Sequence, residues 1–156
     1  MSRKPRICFE KAFYHVTSRG DNKEKIFCND SDRKKMLCFL KKAKEKYCFK
    51  LHAFVLMRNH FHLVVETSTV GTISQIMHSI NTNYTKHFNW SHNRSGHLFQ
   101  GRFNSNLIDK DAYLLEVSRY VHLNPVRAGL VERPEHYKWS SYLTYLGQTS
   151  HYFIDT

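Results

Sequence analysis

The run Leu56-Met57-Arg58-Asn59-His60-Phe61-His62-Leu63-Val64-Val65-Glu66 constrains the fold of this chain more than any other stretch. Its apolar alternation predicts a β-strand, and a strand sends successive side chains to opposite faces. Phe61, Leu63 and Val65 then share one face, while His60, His62, Val64 and Glu66 share the other. A core must lie behind this strand and a potential site in front of it. His60 and His62 project from the same side about 7 Å apart along the backbone, so both imidazoles can reach one metal ion. Two histidines on a strand are also an ordinary wet face, and the choice depends on what else the chain brings to that face.

A chain of 156 residues suits one domain, residues 1–156, with a core over about 12–125 and a packing segment over about 126–156. No apolar run approaches the roughly 20 residues that cross a bilayer. The basic start Met1-Ser2-Arg3-Lys4-Pro5-Arg6 is not followed by a long apolar segment of the signal type. The expectation is a soluble cytoplasmic protein without a membrane span. Lysine and arginine exceed the acids by eleven, a surplus that attracts polyanions. Nucleic acid is the first such partner and an anionic membrane surface the second. Cys8, Cys28, Cys38 and Cys48 are too widely spaced for a Cys-x-x-Cys zinc pattern and are expected to be reduced, mostly buried thiols.

Residues 12–19, rich in aromatic and β-branched types, predict a first strand that stops at the turn-forming Gly20-Asp21-Asn22. Asn29, Asp30 or Ser31 can cap a helix with apolar positions Met36, Leu37, Leu40, Ala43 and Tyr47 and a lysine-rich outer face, which reads first as solvation and second as phosphate attraction. Residues 50–57 form a strand hairpinned to the histidine strand through Arg58-Asn59. A second helix is expected from Gly71 to about Asn89, with Tyr84 in the core, followed by a turn over Trp90 to Gly96. Residues 96–108 read as an extended pair or a bent strand whose aromatics and Arg102 suit base stacking or, equally, an ordinary edge. Asp109 can cap a last helix that ends close to Asn124, because Pro125 disfavours helical geometry at the residue before it. The order fits an α+β fold, a ferredoxin-like split βαβ antiparallel sheet, with an additional C-terminal catalytic helix. The histidine face is the one the first two helices leave bare, and the last helix is the element to lie over it.

On that last helix Tyr120 and Asn124 share a face. If that helix covers the histidine face, Asn124 is a candidate third ligand beside His60 and His62, with positions left for water or a phosphate oxygen. Two nitrogens and an amide oxygen admit zinc, while phosphate chemistry suits Mg2+ or Mn2+. Such a metal would polarise a phosphodiester for attack by Tyr120, an otherwise weak nucleophile. Tyr113, on the same helix face, is the competing tyrosine.

Asn59-His60-Phe61-His62 resembles the His-hydrophobic-His motif of HUH single-tyrosine transposases, and the run from Tyr120 through Asn124-Pro125-Val126-Arg127 to Leu130 resembles the tyrosine motif of their REP-associated branch. Tyr14-His15-Val16-Thr17-Ser18-Arg19-Gly20, Gly101-Arg102-Phe103 and Trp139-Ser140-Ser141-Tyr142 extend the likeness over about residues 12–146. The resemblance implies a divalent metal and cleavage and rejoining of single-stranded DNA through a 5′-phosphotyrosine. It makes His60 and His62 metal ligands, Asn124 the third ligand and Tyr120 the nucleophile. The implied substrate is a palindromic-repeat hairpin with flanking single strand, bound by a monomer or homodimer that is nucleoid-associated when on DNA. Arg19, Arg102 and Arg127 become DNA contacts. Arg58 departs from the proline common before Asn-His, which would alter the hairpin or add a phosphate contact. The rival expectation is a catalytically silent, domesticated nucleic-acid-binding protein of the same fold. Pure binding needs none of His60, His62, Tyr120 and Asn124, so their joint presence favours the enzyme.

Overall fold

The computed structural model describes residues 8–109, 111–148 and 154–155, so the basic start at residues 1–6 lies outside it. Asn29 opens the first helix by accepting the Asp32 backbone N–H on its side-chain oxygen at 2.9 Å, so that α1 runs over Asp30–Tyr47. Asp30 and Asp32 in its first turn and Lys44 and Lys46 in its last complement the helix dipole. Thr72 and Gln75 form a reciprocal capping box, with Thr72 Oγ1 accepting the Gln75 N–H at 3.1 Å and Gln75 Oε1 accepting the Thr72 N–H at 2.9 Å. That box starts α2, Ile73–Ser91.

The strands are β1 (Phe13–Arg19), β2 (Lys50–Leu56), β3 (His60–Glu66) and β4 (Asn104–Ile108). They form one antiparallel sheet in the order β2-β3-β1-β4. β1 and β2, joined through α1, are separated by β3, which is the split βαβ arrangement of a ferredoxin-like α+β fold. Register places Arg19 opposite His60, Thr17 opposite His62 and Phe13 opposite Glu66.

Both faces of the sheet are buried. Val16, Phe54, Phe61, Leu63 and Val65 pack with Met36, Leu40, Ile76, Ile80 and Tyr84 of α1 and α2 in the larger core. Tyr84 is fully buried there, as the helical spacing predicted. Ala53, Val55, Val64 and Ile108 pack on the other face against Val121, Val117 and Leu114 of the last helix, α3 (Asp111–Arg127). Burying a valine such as Val121 contributes about 1.5–3 kcal/mol, and this apolar seam holds α3 against the histidine face.

Three boundaries differ from the sequence reading. α2 continues through Trp90 to Ser91, because Phe88 remains in the core and its carbonyl accepts the His92 N–H at 2.9 Å. α3 does not stop at Asn124 but runs through Pro125 to Arg127, before Gly129 at φ +73 turns the chain. Proline there lacks only its own N–H, while the carbonyls of Asn124 and Pro125 still accept from Ala128 and Leu130 at 3.0 Å each. Between residues 96 and 108 only Asn104–Ile108 is a strand, preceded by a turn at Gly101 (φ +64) and an isolated bridge from Phe99 to Gly20. Residue 110, between Asp109 and the start of α3 at Asp111, lies outside the described residues. The thiols also differ: Cys28 and Cys48 are exposed and Cys8 and Cys38 half-buried, since all four fall at or beyond the margins of the elements' inner faces.

The segment after α3 closes the free edge of β2. Ser140 bridges Val55, the Leu56 N–H donates to the Trp139 carbonyl at 2.8 Å, and the Ser141 N–H donates to the Phe54 carbonyl at 3.0 Å. The Tyr137 hydroxyl donates to the Leu56 carbonyl, and the short helix α4 (Tyr142–Tyr145) follows. Covering an edge strand in this way removes a template for aggregation.

Candidate active site

β3 turns His60 and His62 toward α3, and α3 turns Tyr120 and Asn124 toward the histidines. Asn124 Nδ2 lies 3.2 Å from His62 Nε2. The Tyr120 ring centroid is 5.7 Å from that of His62, edge-on, and the His60 and His62 rings are 5.1 Å apart at near right angles. The four residues singled out in the sequence thus meet at one place. Tyr120 is 39% exposed, whereas His62 is buried. Tyr113 is exposed nearer the start of α3.

Hydrogen bonds fix which imidazole nitrogens carry protons. The Asn59 amide oxygen can only accept, so the His60 Nδ1 that lies 2.7 Å from it is the protonated nitrogen. The Asn124 amide N–H donates to His62 Nε2, which leaves the His62 proton on Nδ1. His62 Nδ1 in turn has Thr17 Oγ1 at 3.0 Å and His15 Nε2 at 2.9 Å to accept it. Both histidines therefore keep an Nε2 lone pair on the side of Asn124. Burial lowers the pKa of His60, with the Arg19 charge adding to the effect and the Asn124 hydrogen bond opposing it. Burial first, then the neighbouring His15, His60 and Arg19, lowers that of His62 to about 3. Both rings are neutral at physiological pH, the form that binds a metal.

The donor set fits a divalent cation. Two neutral imidazoles turn unprotonated Nε2 atoms toward an amide, whose oxygen and nitrogen exchange places by rotation, and the other ring nitrogens are already held by Asn59, Thr17 and His15. His15 and Thr17 escaped the sequence reading as site residues. Tyr14, Val16 and Ser18 point to the larger core, so alternation does put His15 and Thr17 on the opposite face. That they meet His62 depends on β1 and β3 being neighbours.

The arginines divide. Arg127 stacks on the Tyr120 ring, its Cζ 4.9 Å from the centroid. Arg19 pairs across from His60, and Arg58 with Lys23, Lys25 and Asn59 lines a cleft of about 310 Å³ beside His60. Arg102 is elsewhere, in a cleft with Ser74, His78 and Asn81 of α2 on the other side of the sheet. Glu66, on the histidine face, is engaged by His52 Nε2 at 2.8 Å. Among the described residues no helix is long and apolar enough to cross a membrane.

A sequence profile described as "Transposase IS200 like" matches residues 8–124, the span from the approach to β1 through Asn124. The chain belongs to the IS200-like transposase family. Its fold is shared with a REP-associated tyrosine transposase solved bound to a REP hairpin, at a TM-score of 0.75 and 18% identity, covering 100% of this chain and 98% of that one. A candidate transposase from Deinococcus radiodurans R1 is similar at a TM-score of 0.53 and 13% identity, over 77% of this chain and 95% of its own. The tRNA(His) guanylyltransferase of Saccharomyces cerevisiae shares the fold at 0.51 and 11% identity, over 78% of this transposase-family chain and 62% of its own. No curated protein matches by sequence.

Proposed function

We propose that this transposase-family chain cleaves and rejoins single-stranded DNA beside a hairpin, with Tyr120 as nucleophile. The observation that carries the reading is the edge-on approach of the Tyr120 ring to His62 at 5.7 Å with Asn124 Nδ2 3.2 Å from the same imidazole. The hairpin is supported by the fold neighbour solved with a REP hairpin and by the tyrosine motif that resembles the REP-associated branch.

His60, His62 and Asn124 would hold a divalent cation, Mg2+ or Mn2+, which when bound supplies positive charge to a phosphodiester oxygen. Tyr120 Oη attacks the phosphorus, forming an O–P bond as the bond to the 3′ oxygen breaks. The phenolic proton leaves, the DNA 5′ side becomes phosphotyrosine and a 3′-hydroxyl is freed. One phosphodiester has replaced another, so a 3′-hydroxyl can reverse the step without a nucleotide cofactor. Arg127 on the Tyr120 ring and Lys23, Lys25 and Arg58 around the cleft beside His60 draw the phosphate backbone toward the nucleophile. Arg102, on the α2 side, would contact DNA away from the reacting bond. His60, His62, Asn124 and Tyr120 all come from one chain with α3 packed on its own sheet, which supports a single catalytic domain complete in the monomer. The working place is the cytoplasm, at the nucleoid when DNA is bound.

The test is incubation with labelled single-stranded hairpin oligonucleotides and Mn2+ or Mg2+, read on a denaturing gel. The reading predicts a metal-dependent protein–DNA adduct that Tyr120→Phe abolishes. Binding without an adduct across a broad hairpin library would contradict it and favour a silent binding protein.

A further inference from the structure

We propose that Cys28, Asp32 and His92, with His87, form a second metal site that takes zinc and pins α1 to α2. Cys28 Sγ, an Asp32 carboxylate oxygen and a His92 ring nitrogen lie within 4.8 Å of one another. His92 Nε2 is 3.1 and 2.9 Å from the two Asp32 oxygens, and His87 Nε2 is 3.9 Å from Oδ1. Donors on one tetrahedral zinc, bound at about 2.0–2.3 Å, stand roughly 3.3–3.8 Å apart, so the Cys28, Asp32 and His92 atoms need to draw together by about 1–1.5 Å at most to share an ion, and the His87 imidazole, which faces Ser91 Oγ at 3.4 Å, must turn in to join them.

The placement argues for a structural ion. Cys28 leads into α1, Asp32 sits in its first turn, His87 lies near the end of α2 and His92 caps it. These segments are remote in sequence and lie on the face of the sheet away from Tyr120, where α1 and α2 share the larger core. The thiolate, the carboxylate and the His92 imidazole, with the His87 imidazole turned in as the fourth ligand, would close a set of the structural type, and the two anionic ligands balance a divalent charge. Asp32 is 2% exposed and already holds the Cys28 N–H at 2.9 Å, which keeps its carboxylate aimed at the thiol's backbone. An ion pair between Asp32 and His92 explains those two residues and does not explain a thiol at the third corner. On binding, the Cys28 S–H bond gives way to an S–Zn bond and its proton goes to solvent.

The test uses the full-length His60→Ala/His62→Ala variant, stripped with a chelator, so that binding at the candidate active site is removed. Titration with Co2+ is expected to give one equivalent with a near-ultraviolet thiolate-to-cobalt charge-transfer band, displaced by Zn2+, and zinc is expected to raise the melting temperature. Cys28→Ser, a change at an exposed thiol, should remove the band. It should also weaken zinc binding by more than the roughly 10–100-fold typical of losing an outer-shell partner, with the circular dichroism spectrum unchanged. His92→Gln should weaken binding similarly. Absence of the charge-transfer band, or zinc affinity equal in Cys28→Ser, would overturn the proposal, as would zinc binding that disappears with His60 and His62.

Discussion

Thr17 Oγ1 stands 3.0 Å from His62 Nδ1, directly across the β1–β3 pair. A threonine hydroxyl can accept the Nδ1 proton, and this holds the Nε2 lone pair toward Asn124. Replacing it by valine keeps the shape and removes the acceptor. Thr17→Val should weaken Mn2+ binding by about 10–100-fold, measured by calorimetry, with stability changed by only about 1 kcal/mol. Unchanged Mn2+ affinity would mean that His15 alone, 2.9 Å from the same nitrogen, orients His62.

Acid should destabilise the fold over a defined window. Burial lowers the pKa of His122 to about 4 from 6.5. The unfolded chain takes up this proton as pH falls through about 6.5, the folded chain only near 4, so stability is constant above the window and falls within it. The full effect is about 3 kcal/mol, of which about 2 kcal/mol goes between pH 7 and pH 5. His62, lowered further to about 3, acts in the same direction. Urea melts of the native chain and of His122→Gln at the two pH values check this. The variant should lose markedly less stability on acidification, and equal losses would refute the assignment to His122.

Ser141 ties the closing segment to both the sheet and α3. Its fully buried Oγ accepts the Phe54 N–H at 2.9 Å and lies 2.7 Å from His122 Nε2. Ser141→Ala leaves both partners unsatisfied and should cost about 2 kcal/mol, read as a lower urea midpoint at constant slope. A change below about 0.5 kcal/mol would show that another group takes over the bonds.

Because the four candidate residues come from one chain, two defective chains should not rescue each other. Mixing His60→Ala/His62→Ala with Tyr120→Phe should give no covalent adduct on a hairpin substrate. Restored adduct would mean that α3 reaches the histidines of a second copy.

The strand and helix pattern carried most of this fold. The His60/His62 face and the Phe61/Leu63/Val65 core were legible because side-chain alternation is local, and the same holds for the shared face of Tyr120 and Asn124. The sheet order followed from the succession of elements, and the predicted covering of the histidine face by α3 matches the Val121 seam. What local pattern could not supply was register. Thr17 and His15 reach His62 only because β1 lies beside β3, and Arg102 departs from the site because its loop turns at Gly101 toward α2. The helix end was misplaced for a related reason. Pro125 penalises helix locally, yet near the end of α3 it forfeits one hydrogen bond, and its own burial against the rest of the protein offsets that loss.

The most direct measurement is to digest the covalent DNA adduct with protease and nuclease and to locate the residual nucleotide by mass spectrometry. The account predicts the modification on the peptide that contains Tyr120, as a phosphodiester on its phenolic oxygen with the 5′ side of the DNA. A nucleotide found on Tyr113 instead, or on no tyrosine, would contradict it.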